Sequence, residues 1–257
     1  MEHGERKMSE ITVLKLGGSV VTKKSEPGVI NTARIRELAE RIAPVAKSVP
    51  LVIVHGAGSC GHPEAKAYHI QDGVSRENAE GIAVTHFAVR RLNEEFVSVL
   101  RECGVDAVCM HPFCSSLAEN GRLVYSGEEQ IKALLALGVV PVLHGDVVMD
   151  TVRGACIVSG DQIVPAMARA LGATRVGVAT DVSGVLSGTS IVPVITRDNV
   201  GGIDLGDSAN TDVTGGMRGK VEELLLLADA GIPSHLFHIS RVMDFLGGRD
   251  HGGTLIR

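Results

Sequence analysis

Three lysines stand beside glycine-rich turns, a combination of residues that can surround a phosphoryl group. Lys15 comes just before one glycine pair (residues 17–18), Lys24 follows in the same turn region, and Lys220 follows another glycine pair (residues 215–216). Glycine lets the backbone approach a ligand closely, because it has no Cβ. Phosphoryl transfer needs mainly backbone N–H donors and cations around the moving group. The pattern therefore predicts a phosphate site built from several turns.

A further glycine turn follows an apolar strand predicted at residues 51–54. The segment 55–63 reads HGAGSCGHP, so Gly56, Gly58 and Gly61 can turn the chain sharply before Pro63. Proline suits the first turn of a helix, where its missing N–H is not needed. A strand, a glycine turn and a helix N-terminus together form the arrangement with which α/β proteins bind an anion.

The spacing Gly56-x-Gly58-x-x-Gly61 also satisfies the dinucleotide-binding fingerprint, which is a weak signal without its context. That fold requires an acidic residue at the end of the next strand, about 20 residues further on. The next predicted strand, residues 105–110, lies more than 40 residues later and is followed by His111. A nicotinamide-dependent oxidoreductase is therefore only a remote alternative, and no P-loop motif is present.

The elements that position these turns alternate between strands and helices. Strands are predicted at residues 11–16, 51–54, 139–143 and 175–179, and helices at 31–46, 76–102 and 128–137. This alternation predicts an α/β fold with a parallel sheet covered by helices. Residues 147–158 resemble a β-hairpin, and Ser159 is expected to begin a helix that ends at Leu171. We expect any second lobe to share the same continuous sheet.

The composition restricts the class of protein. The 257 residues have a formal net charge of −5, no tryptophan and 3% aromatic residues, so no nucleic-acid surface is indicated. No apolar run reaches membrane-spanning length, and the polar first ten residues favour a cytoplasmic protein. Five scattered cysteines predict buried free thiols. Cys109 and Cys114 flank His111, but no further ligands complete a metal site.

Three segments resemble the signature motifs of the amino acid kinase family. They are residues 14–19 (LKLGGS), 180–185 (TDVSGV) and 214–220 (TGGMRGK), in the order that the family has them. The resemblance implies a three-layer αβα sandwich with a central, mostly parallel sheet. It implies a single domain over residues 1–257, with an acceptor-binding lobe at about 11–172 and an ATP-binding lobe at about 173–257.

Within that family, residues 55–63 are most similar to the isopentenyl phosphate kinases and next to the fosfomycin kinases. Gly61-His62-Pro63 is the discriminating triplet, while Ala57 and Cys60 depart from the commoner residues. The resemblance implies ATP-dependent phosphorylation of isopentenyl phosphate, a small isoprenoid monophosphate, with Mg²⁺ and in a homodimer. The alternative is a related kinase that acts on a phosphonate, carboxylate or nucleotide acceptor.

The same resemblance implies roles for individual residues. Lys15 would contact the ATP phosphates, Lys24 or its neighbour Lys23 would neutralise the transferred group, and His62 would donate to the acceptor phosphate. Asp161 would orient the lysines. Ala57 and Gly160 would present backbone N–H groups to the substrate. The remaining ATP-binding positions would be Gly17, Gly18, Gly58, Asp181, Leu186, Gly216 and Lys220.

The chemistry of a phosphate acceptor agrees with this set. A hydroxyl acceptor gains from a general base, whereas a phosphate monoester oxygen is already deprotonated near neutral pH. What it requires is cations that reduce the repulsion between two anions. A site with lysines and a histidine suits that task. Residues 68–90, including Ile82, Val84 and Phe87, are the predicted lining of an apolar tail pocket.

Overall fold

The structure is a computed structural model that describes residues 10–23, 26, 28–125, 127–205 and 216–257. Lys24 and the first glycine of the pair at 215–216 lie outside the described residues. The described chain has the predicted α/β class, with one sheet between two layers of helices.

The main sheet has eight strands within the described ranges. They are β1 (Thr12–Leu16), β2 (Leu51–His55), β3 (Ala107–Cys109), β6 (Val140–His144), β9 (Arg175–Thr180), β12 (Val194–Ile195), β13 (Ser234–His238) and β14 (Thr254–Ile256). Their order in the sheet is β12-β14-β13-β9-β1-β2-β6-β3. All neighbouring pairs are parallel except β13 with β14.

The central strands β1 and β2 are buried along their whole length, which explains their nearly continuous apolar sequence. Their register pairs Leu16 with His55, and β2 in turn pairs His55 with His144 of β6. The carboxyl ends of neighbouring strands are therefore level with one another. The turns that follow them lie along one edge of the sheet.

Helices cover both faces. They are α1 (Gly18–Val21), α2 (Thr32–Ala46), α3 (His62–Ala67), α4 (Glu80–Glu102), α5 (Pro112–Ser115), α6 (Glu128–Ala136), α7 (Gly160–Leu171), α8 (Gly216–Ala228) and α9 (Val242–Leu246). The first face packs α2 and α4 through residues such as Ile42 and Phe96. The opposite face packs α6 and α7 through residues such as Ile131 and Met167. The three-layer αβα arrangement is thus confirmed.

Capping residues located the starts of two helices. Asn31 caps α2, since its side chain accepts a hydrogen bond from the Arg34 backbone N–H at 3.3 Å. Ser159 caps α7 in the same way through the backbone N–H of Gln162. The long helix α4 begins at Glu80 rather than residue 76, after a short 3₁₀ turn at Ile70–Asp72.

The main sheet takes strands from both sides of residue 172, in agreement with the prediction of a shared continuous sheet. The first part of the chain also forms a separate four-stranded sheet. Its order is β5-β4-β7-β8, from β4 (Leu117–Glu119), β5 (Arg122–Tyr125), β7 (Asp146–Asp150) and β8 (Gly154–Val158). The predicted hairpin at residues 147–158 is confirmed as β7 and β8. Only Gly145 separates β6 from β7, so the chain leaves the main sheet at once. A short hairpin, β10 (Leu186–Ser187) with β11 (Ser190–Ile191), is also separate.

The cysteines agree only in part with the prediction of buried thiols. Cys60 and Cys156 are buried and Cys103 and Cys109 are half-buried, but Cys114 is exposed on the short helix α5. Among the described residues, no helix combines the length and apolarity needed to cross a membrane.

Candidate active site

Backbone hydrogen bonds bind the turns at the carboxyl edge of the sheet to one another. The N–H of Gly17 donates to the Ala179 carbonyl at 2.9 Å, and that of Gly56 donates to the Leu16 carbonyl at 3.0 Å. The N–H of Gly145 donates to the carbonyl of His55 at 3.1 Å. The turns after β1, β2 and β6 therefore form one continuous surface.

Two of these turns pack so closely that side chains would not fit between them. A Cβ built on Gly18 would lie 2.5 Å from the Gly58 nitrogen, and one built on Gly56 would lie 2.7 Å from the Gly18 nitrogen. Gly58 has φ of +55°, a conformation that favours glycine. Thr22 fixes the same turn, since its hydroxyl accepts a hydrogen bond from the Ser59 N–H at 3.0 Å.

A carboxylate lies between two of the predicted lysines. Lys15 Nζ is 2.5 Å from Asp161 Oδ1, and Lys220 Nζ is 3.6 Å from Asp161 Oδ2. Lys15 and Asp161 are 3% and 8% exposed, so water screens their attraction little. Two ammonium groups and one carboxylate leave a net positive charge here. This local charge favours an anionic ligand.

The local sequence explains how these groups meet. Lys15 is the fourth residue of β1, and Asp161 is in the first turn of α7. Between them lies Gly160, where a Cβ would be only 3.1 Å from Lys15 Cε. Lys220 is one turn into α8, whose first residue Gly216 has φ of +59° and accepts a hydrogen bond from Lys220 Nζ at 3.3 Å.

A cleft of about 290 Å³ opens beside Asp161, between the β7–β8 hairpin and α8. Its wall includes Ala65, Ile157 and Cys156. Burial raises the pKa of the Cys156 thiol to about 12. That thiol is therefore neutral. At the mouth, Arg122 donates two hydrogen bonds to Glu223 of α8, at 2.5 and 3.3 Å. This ion pair links the four-stranded sheet to α8.

His62 is the first residue of α3 and is half-buried. Ala57 and the 3₁₀ turn Gly58–Cys60 lie just before it. Gly61 lets α3 begin close to α4, because a Cβ there would overlap the Val89 side chain. The start of α3 thus continues the surface that the glycine turns form.

The remaining predicted residues are more dispersed. Asp181 is exposed just after β9, and Leu186 is 44% exposed in the β10–β11 hairpin. Lys23 is exposed and its Nζ is 3.1 Å from Glu26 Oε1. The predicted tail-pocket segment is only partly enclosed, since the Phe87 side chain is 57% exposed.

A buried cluster of imidazoles, which was not predicted from the sequence, lies behind the turns. His55 and His144 are fully buried, and His86 and His111 lie next to them, with the carboxylate of Asp146. Burial raises the pKa of Asp146 and lowers that of His144 well below its ordinary value. The repeated pair His-Gly at the ends of β2 and β6 was the available signal.

The fold and the site define an α/β protein with an anion site at the carboxyl ends of its parallel strands. The chain belongs to the amino acid kinase family, whose profile matches residues 10–238. The family predicted from the three sequence segments is therefore confirmed.

Curated relatives cover almost the whole chain. The isopentenyl phosphate kinase of Haloferax volcanii is 40% identical over 248 residues, 96% of this chain and 98% of the relative. That of Methanothermobacter thermautotrophicus is 39% identical over 242 residues, 88% and 90% of the two chains. A crystal structure of an isopentenyl phosphate kinase superposes with a TM-score of 0.85 at 32% identity, over 96% of this chain and 100% of that one. The dinucleotide-binding alternative is not favoured.

Proposed function

We propose that this protein transfers the γ-phosphoryl group of ATP to isopentenyl phosphate, giving isopentenyl diphosphate and ADP. An acceptor phosphate oxygen forms the new bond to the γ-phosphorus, while the bond from that phosphorus to the β-phosphate bridging oxygen breaks. The observation that carries the proposal is Asp161 held between Lys15 and Lys220 at the edge formed by the glycine turns. The similarity to isopentenyl phosphate kinases supports this acceptor.

Lys15 and Lys220 supply the positive charge that the reaction needs. Two anions must approach within bonding distance, and cations fixed in advance stabilise the charge on the transferred group. Asp161 holds both ammonium groups at defined positions, so the lysines need little rearrangement when phosphate arrives. Lys24 is proposed as a third cation, and its position lies outside the described residues.

His62 is proposed to donate a hydrogen bond to the acceptor phosphate, from the start of α3. Ala57 and Gly160 are proposed to donate through their backbone N–H groups. Gly160 lies at the first turn of α7, and the N-terminus of a helix favours an anion. These donors recognise a phosphate or a phosphonate in the same way. The apolar tail of the acceptor then determines the choice between such compounds.

The donor ATP is proposed to lie over Gly17, Gly18, Gly58 and Gly216, with Asp181 and Leu186 further along the nucleotide. This assignment divides the domain into an acceptor lobe at about residues 11–172 and an ATP lobe at about 173–257. The cleft beside Asp161 supports the division, because its walls come from β8 of the first part and α8 of the second.

Mg²⁺ is proposed to arrive with the nucleotide. Among the described residues, no group of three or more His, Cys, Asp or Glu could hold a metal ion. The carboxylate of Asp161 already faces two ammonium groups. Mg²⁺ in kinase sites is bound largely by substrate phosphates, so the site fits an ion that the nucleotide phosphates hold. When bound, it would neutralise charge on those phosphates.

A homodimer in the cytoplasm, where ATP is available, completes the proposal. The homodimer is proposed because members of the amino acid kinase family often form dimers. Sedimentation of the purified chain at micromolar concentration tests it: a single species at twice the chain mass is expected, and a monomer at all concentrations contradicts it.

The experiment that tests the function is ADP release from ATP and Mg²⁺ with a panel of acceptors. The panel contains isopentenyl phosphate, fosfomycin, acetylglutamate, carbamate and UMP. We expect the highest kcat/KM with isopentenyl phosphate. A preference for fosfomycin would favour the phosphonate alternative, and a preference for acetylglutamate or carbamate would refute a phosphate acceptor.

A further inference from the structure

Two neighbouring parallel strands end in the same dipeptide, and each uses it in the same way. His55-Gly56 ends β2 and His144-Gly145 ends β6, with the two histidines paired in register. Their rings are stacked with centroids 5.6 Å apart, and both side chains are fully buried. In each case Nδ1 lies 3.0 Å from the carbonyl oxygen of the following glycine.

The contacts of His55 fix its tautomer. A carbonyl oxygen can only accept, so Nδ1 of His55 must bear the proton that is donated to the Gly56 carbonyl. On the other side of the ring, Asn93 Nδ2 lies 2.9 Å from His55 Nε2 and 3.2 Å from the Val142 carbonyl. The contact with that carbonyl identifies this Asn93 atom as the amide nitrogen, a donor. Nε2 of His55 is therefore the acceptor.

The imidazole keeps this form at physiological pH. Burial disfavours the imidazolium and lowers the pKa of His55 to about 4, so the ring is neutral near pH 7. A neutral ring has one N–H, and both neighbours of His55 require it at Nδ1. The hydrogen bond to the Gly56 carbonyl thus has a defined direction.

That hydrogen bond also orients the next N–H group. No cis peptide bond is found in the described chain, and in a trans peptide the C=O and the following N–H point in opposite directions. Since the Gly56 carbonyl points inward to His55, the N–H of Ala57 points away from the buried ring. We propose that His55 is a positioning residue that aims the Ala57 N–H at the acceptor phosphate, with Asn93 selecting its tautomer.

The second His-Gly pair supports this inference independently of Asn93. Nδ1 of His144 meets the Gly145 carbonyl, while its Nε2 lies 2.9 Å from His111 Nδ1. Gly145 packs against the start of α7, because a Cβ there would be 3.4 Å from the Gly160 nitrogen. Each backbone donor proposed for the acceptor therefore lies beside a glycine whose carbonyl is hydrogen-bonded to a buried imidazole. Ala57 lies beside Gly56, which contacts His55, and Gly160 lies beside Gly145, which contacts His144.

Two measurements on the unaltered protein test the inference without any risk of misfolding. Long-range ¹H–¹⁵N NMR at pH 7 should show His55 neutral, with its proton on Nδ1. Titration with isopentenyl phosphate should move the Ala57 amide proton downfield, while the amide of Gly201, in a remote 3₁₀ turn, stays in place. A proton on Nε2, or an Ala57 amide that does not respond to a bound acceptor, overturns the proposal.

Two substitutions test its effect on the reaction. His55→Asn keeps a donor at the position of Nδ1, whereas His55→Gln reaches the Nε2 position and lacks that donor. We expect His55→Gln to lower the acceptor kcat/KM about 10–100-fold, the range that misplaced groups produce, with the Kd for ATP unchanged. His55→Asn should recover most of that loss. Equal losses in both variants would reduce His55 to a structural role.

A control separates positioning from general destabilisation. His235 lies on β13, away from the turns, and burial lowers its pKa to about 4. Its Nδ1 is 2.9 Å from His251 Nε2. His235→Gln should change stability and leave the acceptor kcat/KM intact. The inference about His55 rests on the proposed function, so the experiments must distinguish a failure of the inference from a failure of the function. If isopentenyl phosphate supports no ADP release, the function fails, and the Ala57 titration is repeated with the panel acceptor that does.

Discussion

Lys15 Nζ and Asp161 Oδ1 lie 2.5 Å apart, although the two residues are 146 positions apart in the chain. Both side chains are almost fully buried. A buried ion pair is weak evidence for stability, since apolar residues of similar volume often serve as well. Its presence at the carboxyl edge of the sheet agrees instead with the proposed role of Lys15 in binding the ATP phosphates.

Asp161→Asn separates the structural from the functional contribution of this pair. Removal of one partner leaves Lys15 buried without its carboxylate, which costs about 3–5 kcal/mol of unfolding free energy in comparable pairs. Urea unfolding at pH 7 measures this. The double variant Lys15→Met/Asp161→Asn should regain most of the stability and remain inactive. If the double variant regains activity, the lysine has no role in transfer.

His62→Ala tests acceptor recognition. The variant should lose most of its turnover with isopentenyl phosphate, at least about 10-fold, because it lacks a charge-assisted hydrogen bond to the phosphate. ATP binding, followed by calorimetry, should be unchanged. The matched control is His69→Asn, an exposed histidine seven positions away whose φ of +51° asparagine tolerates. Near-normal turnover of His62→Ala would remove this role.

Gly18→Ala tests the close packing of the two turns. The added Cβ would lie 2.5 Å from the Gly58 nitrogen, so the turns must separate. Overpacking of this kind costs about 1–3 kcal/mol, and activity should fall with it. Gly201→Ala is the control, because no described atom other than those of its chain neighbours lies within 4 Å of its Cβ position, and its φ is not positive. Thermal unfolding that is equal for the two variants would contradict the packing described.

The buried imidazoles make stability depend on pH in a defined direction. Burial lowers the pKa of His55 from 6.5 to about 4, and the pKa values of His144 and His111 are also lowered. The unfolded chain therefore binds more protons between these values, so stability is complete above pH 6.5 and is lost as pH falls toward 4.

For His55 alone the loss between pH 7.5 and pH 5 should be about 2 kcal/mol. Urea unfolding at the two pH values measures the total change. In His55→Asn the pH-dependent loss should be smaller than in the unaltered protein. An equal loss in both proteins would assign the effect to other groups.

The sequence predicted the parts of the site that depend on local signals. Gly17, Gly56 and Ser159 follow from strand ends and a helix cap, whereas the role of Asp161 in orienting the lysines was implied only by the family resemblance. The structure shows which lysines Asp161 contacts, namely Lys15 and Lys220. That relationship could not be derived from periodicity, because it depends on which strand ends become neighbours.

Longer-range pairings were beyond local reasoning. The hydrogen bond between His55 and Asn93 joins β2 to α4 across 38 positions, and no local pattern indicates that these two residues are partners. The four-stranded sheet was not predicted as a unit, because its strand β4 is only three residues long and pairs with β7 only where Ala118 faces Asp150. Strands this short give little alternation to detect.

The central claim is transfer of a phosphoryl group to isopentenyl phosphate. The most direct measurement follows ³¹P NMR of the protein with ATP, Mg²⁺ and isopentenyl phosphate. We expect the monophosphate signal to be replaced by two coupled diphosphate signals, in a one-to-one ratio with ADP. Release of ADP while the monophosphate signal persists, or no reaction with this acceptor under conditions where another is consumed, would contradict it.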